Sequence, residues 1–250
     1  MTFCVVIPAR YQSERLPGKP LLDIAGQPMI QHVYERAVAS KAADVVVATD
    51  DDRVRQVVEG FGGKCCMTSP EHPSGTDRLQ EVCRVLDFPE EHVVVNVQGD
   101  EPLIPPAVIN QVAGNLIRNQ AEIATLCELI TLKDDLFDPN IVKVVMAESG
   151  QALYFSRAPI PWGRDSFATL PETLPDTSKY YRHLGLYAYR VKALNQFVSW
   201  MPSPLEETEK LEQLRALWHG MSIHVALACE TLPPGVDTFK DLERVRKSLQ

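Results

Sequence analysis

The sequence has no run of 18 apolar residues, so no membrane-spanning helix is expected. It has no Cys-x-x-Cys pair: its six cysteines, Cys4, Cys65, Cys66, Cys83, Cys127 and Cys229, are scattered, several of them inside apolar runs. Zinc and disulfide frameworks are therefore not indicated, and free, buried thiols in a reducing compartment are expected. Residues 1–10 lack the charged start and long apolar segment of a signal peptide, so a cytoplasmic location is the expectation. Basic residues are in deficit, with 25 Lys and Arg against 33 Asp and Glu and a net charge of −8. That balance argues against general binding to a nucleic-acid backbone, which needs a basic face. No GxxxxGK[ST] phosphate loop occurs either, because Gly18-Lys19 is followed by Pro20.

What is present is an ordinary soluble composition, 45% hydrophobic and 23% charged over 250 residues, long enough to bury a sizeable core. Against the acidic background one stretch stands out, Ile7 to Leu21, IPARYQSERLPGKPL. Arg10, Arg15 and Lys19 follow the apolar run Cys4–Ile7, which reads as a buried strand. A strand that ends in a loop with three cations suits a ligand with several negative charges, such as a triphosphate. It would be held by side-chain charge and by backbone N–H groups.

The first half alternates strand and helix patterns. Helices are expected over 28–39, after the capping candidates Asp51 and Asp52, around 79–86 and over 106–119; strands are expected over 45–49, 64–68 and 93–97. This order implies an α/β fold with a mostly parallel, doubly wound sheet, whose ligands bind beyond the carboxyl ends of the strands. Ala9-Arg10, Asp50 and Gln98–Asp100 lie at those ends. After residue 140 the pattern changes to a hairpin (142–146 and 152–155), a polar loop (158–178) and a strand (183–190). Helices over 191–200 and 206–218, a strand over 223–228 and a last helix from Thr238 follow, the last opened by a Thr-x-x-Asp capping box. This half reads as completing a single domain rather than forming a second one.

Asp100 follows a strand and a glycine, where a carboxylate can reach a metal bound to phosphates. Mg2+ takes one or two protein carboxylates, and Asp237 in Pro-Gly-Val-Asp-Thr is the second candidate. Ser74-Gly75-Thr76-Asp77-Arg78 opens a helix and can present N–H groups and hydroxyls to a nucleotide, or simply cap the helix. Arg157 or Arg164 can grip a carboxylate. His183 reads equally as a ligand contact and as a structural histidine. Glu209, Glu212 and Gln213 read as one solvated face of the helix over 206–218.

Taken together, IPARYQSERLPGKPL, VVVATDDDRV, SGTDR, VNVQGDEPLI, ALYFSRAPIPWGRD, RHLGLYAY, SPLEETEKLEQLR and GVDTFKDLERVR resemble the 3-deoxy-manno-octulosonate (Kdo) cytidylyltransferases, which make CMP-Kdo for lipopolysaccharide. The N-terminal loop alone marks the wider class of sugar nucleotidyltransferases. The resemblance implies a Rossmann-like, GT-A-like nucleotidyltransferase fold and a homodimer, with residues 1–120 as the nucleotide half and 140–235 as the sugar-binding and dimerisation half. It implies that Arg10, Arg15 and Lys19 hold the CTP phosphates, with Ala9, Ser74, Gly75, Arg78 and Gln98 also on the nucleotide side. Asp100 and Asp237 would bind Mg2+, and Gln98, Arg157, His183, Glu212 and Gln213 would contact the sugar. Arg10, Lys19 and Asp100 would carry the catalysis, displacement of pyrophosphate by the sugar's anomeric hydroxyl. Asp77 departs from the family, where glutamate is frequent. A transferase for sialic acid or an 8-amino Kdo analogue, and a silent nucleotide-sugar binding protein, are the alternatives.

Overall fold

Phe3 to Ile7 are all buried and form β1 (Phe3–Pro8) in the middle of the sheet. Val5 and Ile7 pack into one apolar layer and Val6 into the other. A strand covered on both faces carries no polar alternation, which is why the run is continuous in sequence. The computed structural model describes residues 2–12, 16–167, 173–174 and 179–249. A 3-10 turn at Lys19–Leu21 and the small ladder of β2 (Asp23–Ile24) with β3 (Gln27–Pro28) lead into α1 (Met29–Val38). Then come β4 (Asp44–Thr49), α2 (Asp52–Gly60), β5 (Lys64–Met67), α3 (Gly75–Val85), β6 (Val93–Asn96) and α4 (Pro106–Arg118). Asp51 caps α2 by accepting the Arg53 amide at 2.9 Å, and Ser74 caps α3 by accepting the amides of Thr76 and Asp77.

The second half supplies β7 (Ile123–Leu129), α5 (Lys133–Phe137), the antiparallel hairpin of β8 (Lys143–Met146) and β9 (Ala152–Ser156), and β10 (Tyr181–Arg190). It closes with α6 (Val191–Ser199), α7 (Pro204–Glu209), α8 (Gln213–Trp218), β11 (Ile223–Leu227) and α9 (Phe239–Ser248). The main path of the sheet runs β11-β7-β10-β6-β1-β4-β5. The pairs β1–β4, β1–β6, β4–β5 and β7–β11 are parallel, whereas β10 is antiparallel to both β6 and β7. The result is a mixed, mostly parallel sheet. α1, α2 and α4 cover one face; α3, α6 and α8 cover the other.

Strand order positions the site in two ways. From β1 the chain winds outward through β4 and β5 and then returns to β6 on the other side of β1. The carboxyl ends of β1 and β6 therefore flank a topological switch point, where such sheets open a crevice. Because β10 runs against its neighbours, its first residues, not its last, reach that same end; Tyr187 lies opposite Asn96 at the end of β6.

Besides the short α5, β2 and β3, which are not expected from the sequence, two larger differences from the sequence expectation bear on the site. β7 is a full strand between β10 and β11, reached from β6 through the expected helix α4, although no strand is expected over Ile123–Leu129. The expected helix over 206–218 is broken into α7 and α8 at Lys210, which is left-handed with φ 53°. Side chains stabilise the break. Arg157 Nε donates to the Glu209 carbonyl at 2.7 Å, satisfying the end of α7, and Arg215 grips Glu206 through Nε at 2.8 Å and Nη2 at 2.6 Å, folding α8 back onto α7. Glu209 is correspondingly not on a solvated face: its carboxylate accepts Ser156 Oγ at 2.7 Å and the Arg157 amide at 2.9 Å.

Candidate active site

A cavity of about 340 Å3 opens at the switch point, lined by Pro8, Ala9 and Arg10 at the end of β1, by Lys19, by Ser74 and Gly75 at the start of α3, and by Gln98, Gly99 and Asp100 after β6. The two strand ends approach so closely that a Cβ on Gly99 would lie 2.7 Å from the Pro8 carbonyl oxygen, so only glycine fits there. Ala9 is fixed by its amide on Ala48 O at 2.8 Å and by its carbonyl, which accepts Thr49 Oγ1 at 2.7 Å. Arg10 leaves this anchored point and donates to the His72 carbonyl. The loop that offers that carbonyl is itself held by Glu81, which accepts the Ser69 amide at 2.8 Å and lies 2.6 Å from His72 Nε2.

Lys19 is the centre of the charge arrangement. Its Nζ lies 2.6 Å from Asp100 Oδ2 and 3.1 Å from Asp237 Oδ1, joining residues from opposite ends of the chain. Two carboxylates already converge on one cation here, so the donor set suits Mg2+, which asks few ligands of a protein and takes the rest from phosphate and water. Among the described residues no group of three or more His, Cys, Asp or Glu is placed to hold a metal by itself.

The remaining candidate residues divide between this cavity and its surroundings. Ser74 lines the cavity, and its hydroxyl also donates to Asp77 Oδ2 at 2.6 Å. Arg78 does not line it: the side chain is wholly buried, with Nη2 2.8 Å from Asp50 Oδ2 and Nη1 on Thr68 Oγ1. Arg15 lies outside the described residues. His183 lines a second cavity of about 470 Å3 with Glu101, Arg182 and Asp237. Since Asp237 borders this second cavity and pairs with Lys19 of the first, the two meet at the Lys19–carboxylate cluster. Glu212 faces a third cavity, of about 610 Å3, beside Ser74; its Oε2 accepts Thr76 Oγ1 at 2.8 Å, and burial pushes its carboxyl up. Arg157 spends its guanidinium on the carbonyls of Glu209 and Pro139, at 2.7 and 2.9 Å. Gln213 is the first residue of α8 and half-buried.

Sequence reasoning passed over two residues of this region. Burial, and next the charge of Asp100, push Glu101 up to about 8; its Oε2 is buried without a hydrogen-bond partner among the described residues. The Tyr187 hydroxyl is likewise buried without one, its ring 5.3 Å from His183. The signal for Tyr187 is its presence with His183 in RHLGLYAY; Glu101 adjoins Asp100.

His183 Nε2 lies 3.1 Å from Thr125 Oγ1, and burial pushes the ring down to about 3 from 6.5. The folded chain thus keeps the ring neutral while the unfolded chain takes a proton below pH 6.5. The stability is complete above that pH and declines as the pH falls from 6.5 towards about 3. Urea unfolding at a series of pH values will show His183→Gln with a shallower acid slope than the parent; equal slopes would remove His183 as the cause.

A switch-point cleft lined by cations and crossed by a Lys–carboxylate cluster, on a mostly parallel α/β sheet, suits a ligand that carries several phosphates, such as a nucleotide. Comparison with known proteins narrows the class. Residues 4–223 match the cytidylyltransferase family. The 3-deoxy-manno-octulosonate cytidylyltransferase of Vibrio vulnificus (strain YJ016) is 60% identical over 247 residues, spanning 99% of this chain and 98% of its own. That of Hahella chejuensis is 59% identical over 245 residues, spanning 98% and 96%. A solved CMP:2-keto-3-deoxy-manno-octonic acid synthetase complexed with CTP has a TM-score of 0.90 at 44% identity, covering 100% of this chain and 98% of that one. The chain belongs to the 3-deoxy-manno-octulosonate cytidylyltransferase family.

Proposed function

We propose that this chain transfers CMP from CTP to the anomeric hydroxyl of Kdo, releasing pyrophosphate and supplying the activated sugar for lipopolysaccharide. The observation that carries the reading is the Lys19 ammonium shared by Asp100 and Asp237 at the junction of two cavities, in a chain 60% identical to a Kdo cytidylyltransferase. The first cavity, with Arg10, Lys19 and the N-terminus of α3, suits the triphosphate; the second, lined by the neutral His183 and by Arg182, whose guanidinium pairs with Glu128 at 2.5 Å, adjoins it and is left for the sugar. Phosphoryl transfer needs alignment and charge neutralisation more than covalent help from the protein. Lys19 and Arg10 offset the charge that grows on the departing pyrophosphate, and the rigid β1 and β6 ends keep the α-phosphorus in line with the incoming hydroxyl. Asp100 and Asp237 are the residues that would hold Mg2+. When bound, the metal would neutralise phosphate charge and ease deprotonation of the attacking hydroxyl.

The reading extends to a cytoplasmic homodimer. In its support, all six cysteines are free, and no helix among the described residues is long and apolar enough to cross a membrane. Leu153, on the edge strand β9, and Trp218, on α8, are 61% and 55% exposed. The test is pyrophosphate release from CTP and Mg2+ with Kdo, sialic acid or 8-amino-Kdo, on enzyme whose mass is read by sedimentation. Kdo-dependent release with CMP-Kdo as product, from a dimer, is expected. Release with another sugar alone would move the acceptor; CTP binding without release would overturn the catalytic reading.

A further inference from the structure

Asp237 sits in a loop without regular structure, between β11 and α9, yet it must meet Asp100 across the cleft. The loop is held at three points. The Val236 amide donates to the Asp100 carbonyl at 2.9 Å. Gly235 packs on the same residue, where a Cβ would come within 3.2 Å of that carbonyl oxygen. The third point is α9. Arg244 Nη2 donates to the carbonyls of Pro234 and Gly235 at 3.0 and 3.2 Å, and Nη1 donates to Asp241 Oδ1 at 2.7 Å. Asp241 Oδ2 in turn accepts Thr238 N at 2.9 Å, Thr238 Oγ1 at 2.8 Å and Asp237 N at 3.3 Å. Both flanks of Asp237 are thus gripped from one helical turn.

The same helix also holds the other side of the cluster. Leu242 and Val245 on its buried face share a cluster with Val236 and with Leu16, Ile24 and Met29 of the segment that carries Lys19. Arg246 adds bonds to the Asp23 carbonyl at 2.9 and 2.7 Å. α9 lies beyond residues 4–223, which match the family.

We propose that α9 is the gauge that sets Asp237 against Asp100 and Lys19, and that Arg244 is its positioning residue. The inference rests on the reading of Asp237 as a cation-holding carboxylate. Arg244 is 46% exposed in its side chain, and an exposed ion pair contributes little to global stability. Its loss will therefore separate function from folding. Residues that orient a metal ligand typically change metal affinity or activity by about 10–100-fold when replaced.

The experiment compares the full chain with Arg244→Met, Arg244→Lys and Asp237→Asn. For each, Mn2+ affinity in the presence of CTP is read by electron paramagnetic resonance, kcat and KM by pyrophosphate release, unfolding temperature by calorimetry, and exchange of the Val236 amide by NMR. Arg244→Met is expected to lower Mn2+ affinity and kcat by about tenfold, raise KM for CTP less, and speed Val236 exchange, with unfolding little changed. Arg244→Lys, which keeps the charge but not the fork, will fall between. Unchanged Mn2+ affinity and kcat in Arg244→Met, with Asp237→Asn inactive, would overturn the positioning role alone. Wild-type Mn2+ binding and turnover in Asp237→Asn would overturn the cation reading beneath it. An unfolding temperature that collapses in step with activity would reduce Arg244 to a structural residue.

Discussion

Asp100→Asn will lower turnover by roughly 10²–10³-fold, the scale seen when one preorganised electrostatic partner of a transition state is removed. The substitution keeps the side-chain volume and removes one negative charge, and it does so where charge matters most: Asp100 Oδ2 lies 2.6 Å from Lys19 Nζ, at the meeting of the two cavities. The fold should survive, because the Asp100 side chain is 32% exposed and the loop contact to Val236 uses its backbone carbonyl, which asparagine retains. An unfolding temperature within a few degrees of the parent, together with the drop in kcat, is the expected pair of results. Full activity in this variant would remove Asp100 from the proposed Mg2+ ligands.

Asp50→Ala will have the largest effect on stability. Arg78 is completely buried, and Asp50 is its only charged partner in the ion pairs of the described residues, at 2.8 Å. Removing the carboxylate strands a guanidinium inside the protein, and breaking a buried pair from one side costs about 3–5 kcal/mol. For a chain of this size each kcal/mol shifts the unfolding temperature by about 2–4 °C, so a fall of roughly 6–20 °C is expected by calorimetry. Arg78→Met should be milder, since it leaves an Asp50 side chain that is 15% exposed and can still reach water. A small shift in Asp50→Ala, or a larger one in Arg78→Met, would show that the pair does not bolt α3 to β4. Activity provides a second check, because Arg78 stands three residues beyond Gly75, which lines the cleft.

That pair also marks the limit of what local sequence specifies. Asp50 and Arg78 were both recognisable, one at a strand end and one at a helix start, but their use for each other depends on how α3 lies against β4. Arg157 is similar: its place after the hairpin was legible, whereas its bonds to the carbonyls of Glu209 and Pro139 were not. His183 and Glu212, which the family resemblance groups as sugar contacts, face separate cavities.

The sequence by itself determined the features that act over a few residues. Continuous apolar runs made β1, β4 and β6 buried strands; Asp51, Ser74 and Thr238 placed the starts of their helices; and Arg10, Lys19 and Asp100 followed strands in an order that puts them at one end of a parallel sheet. Only the tertiary structure decided that β10 runs antiparallel between β6 and β7, that the chain turns left-handed at Lys210, and that Asp237 reaches Lys19 across 218 positions of sequence. Local signals arise from side-chain period, backbone preference and capping, which a short stretch carries within itself. Pairing across the sheet, and the partners of buried charges, depend on contacts between distant segments and are settled only when the two apolar layers close around the sheet.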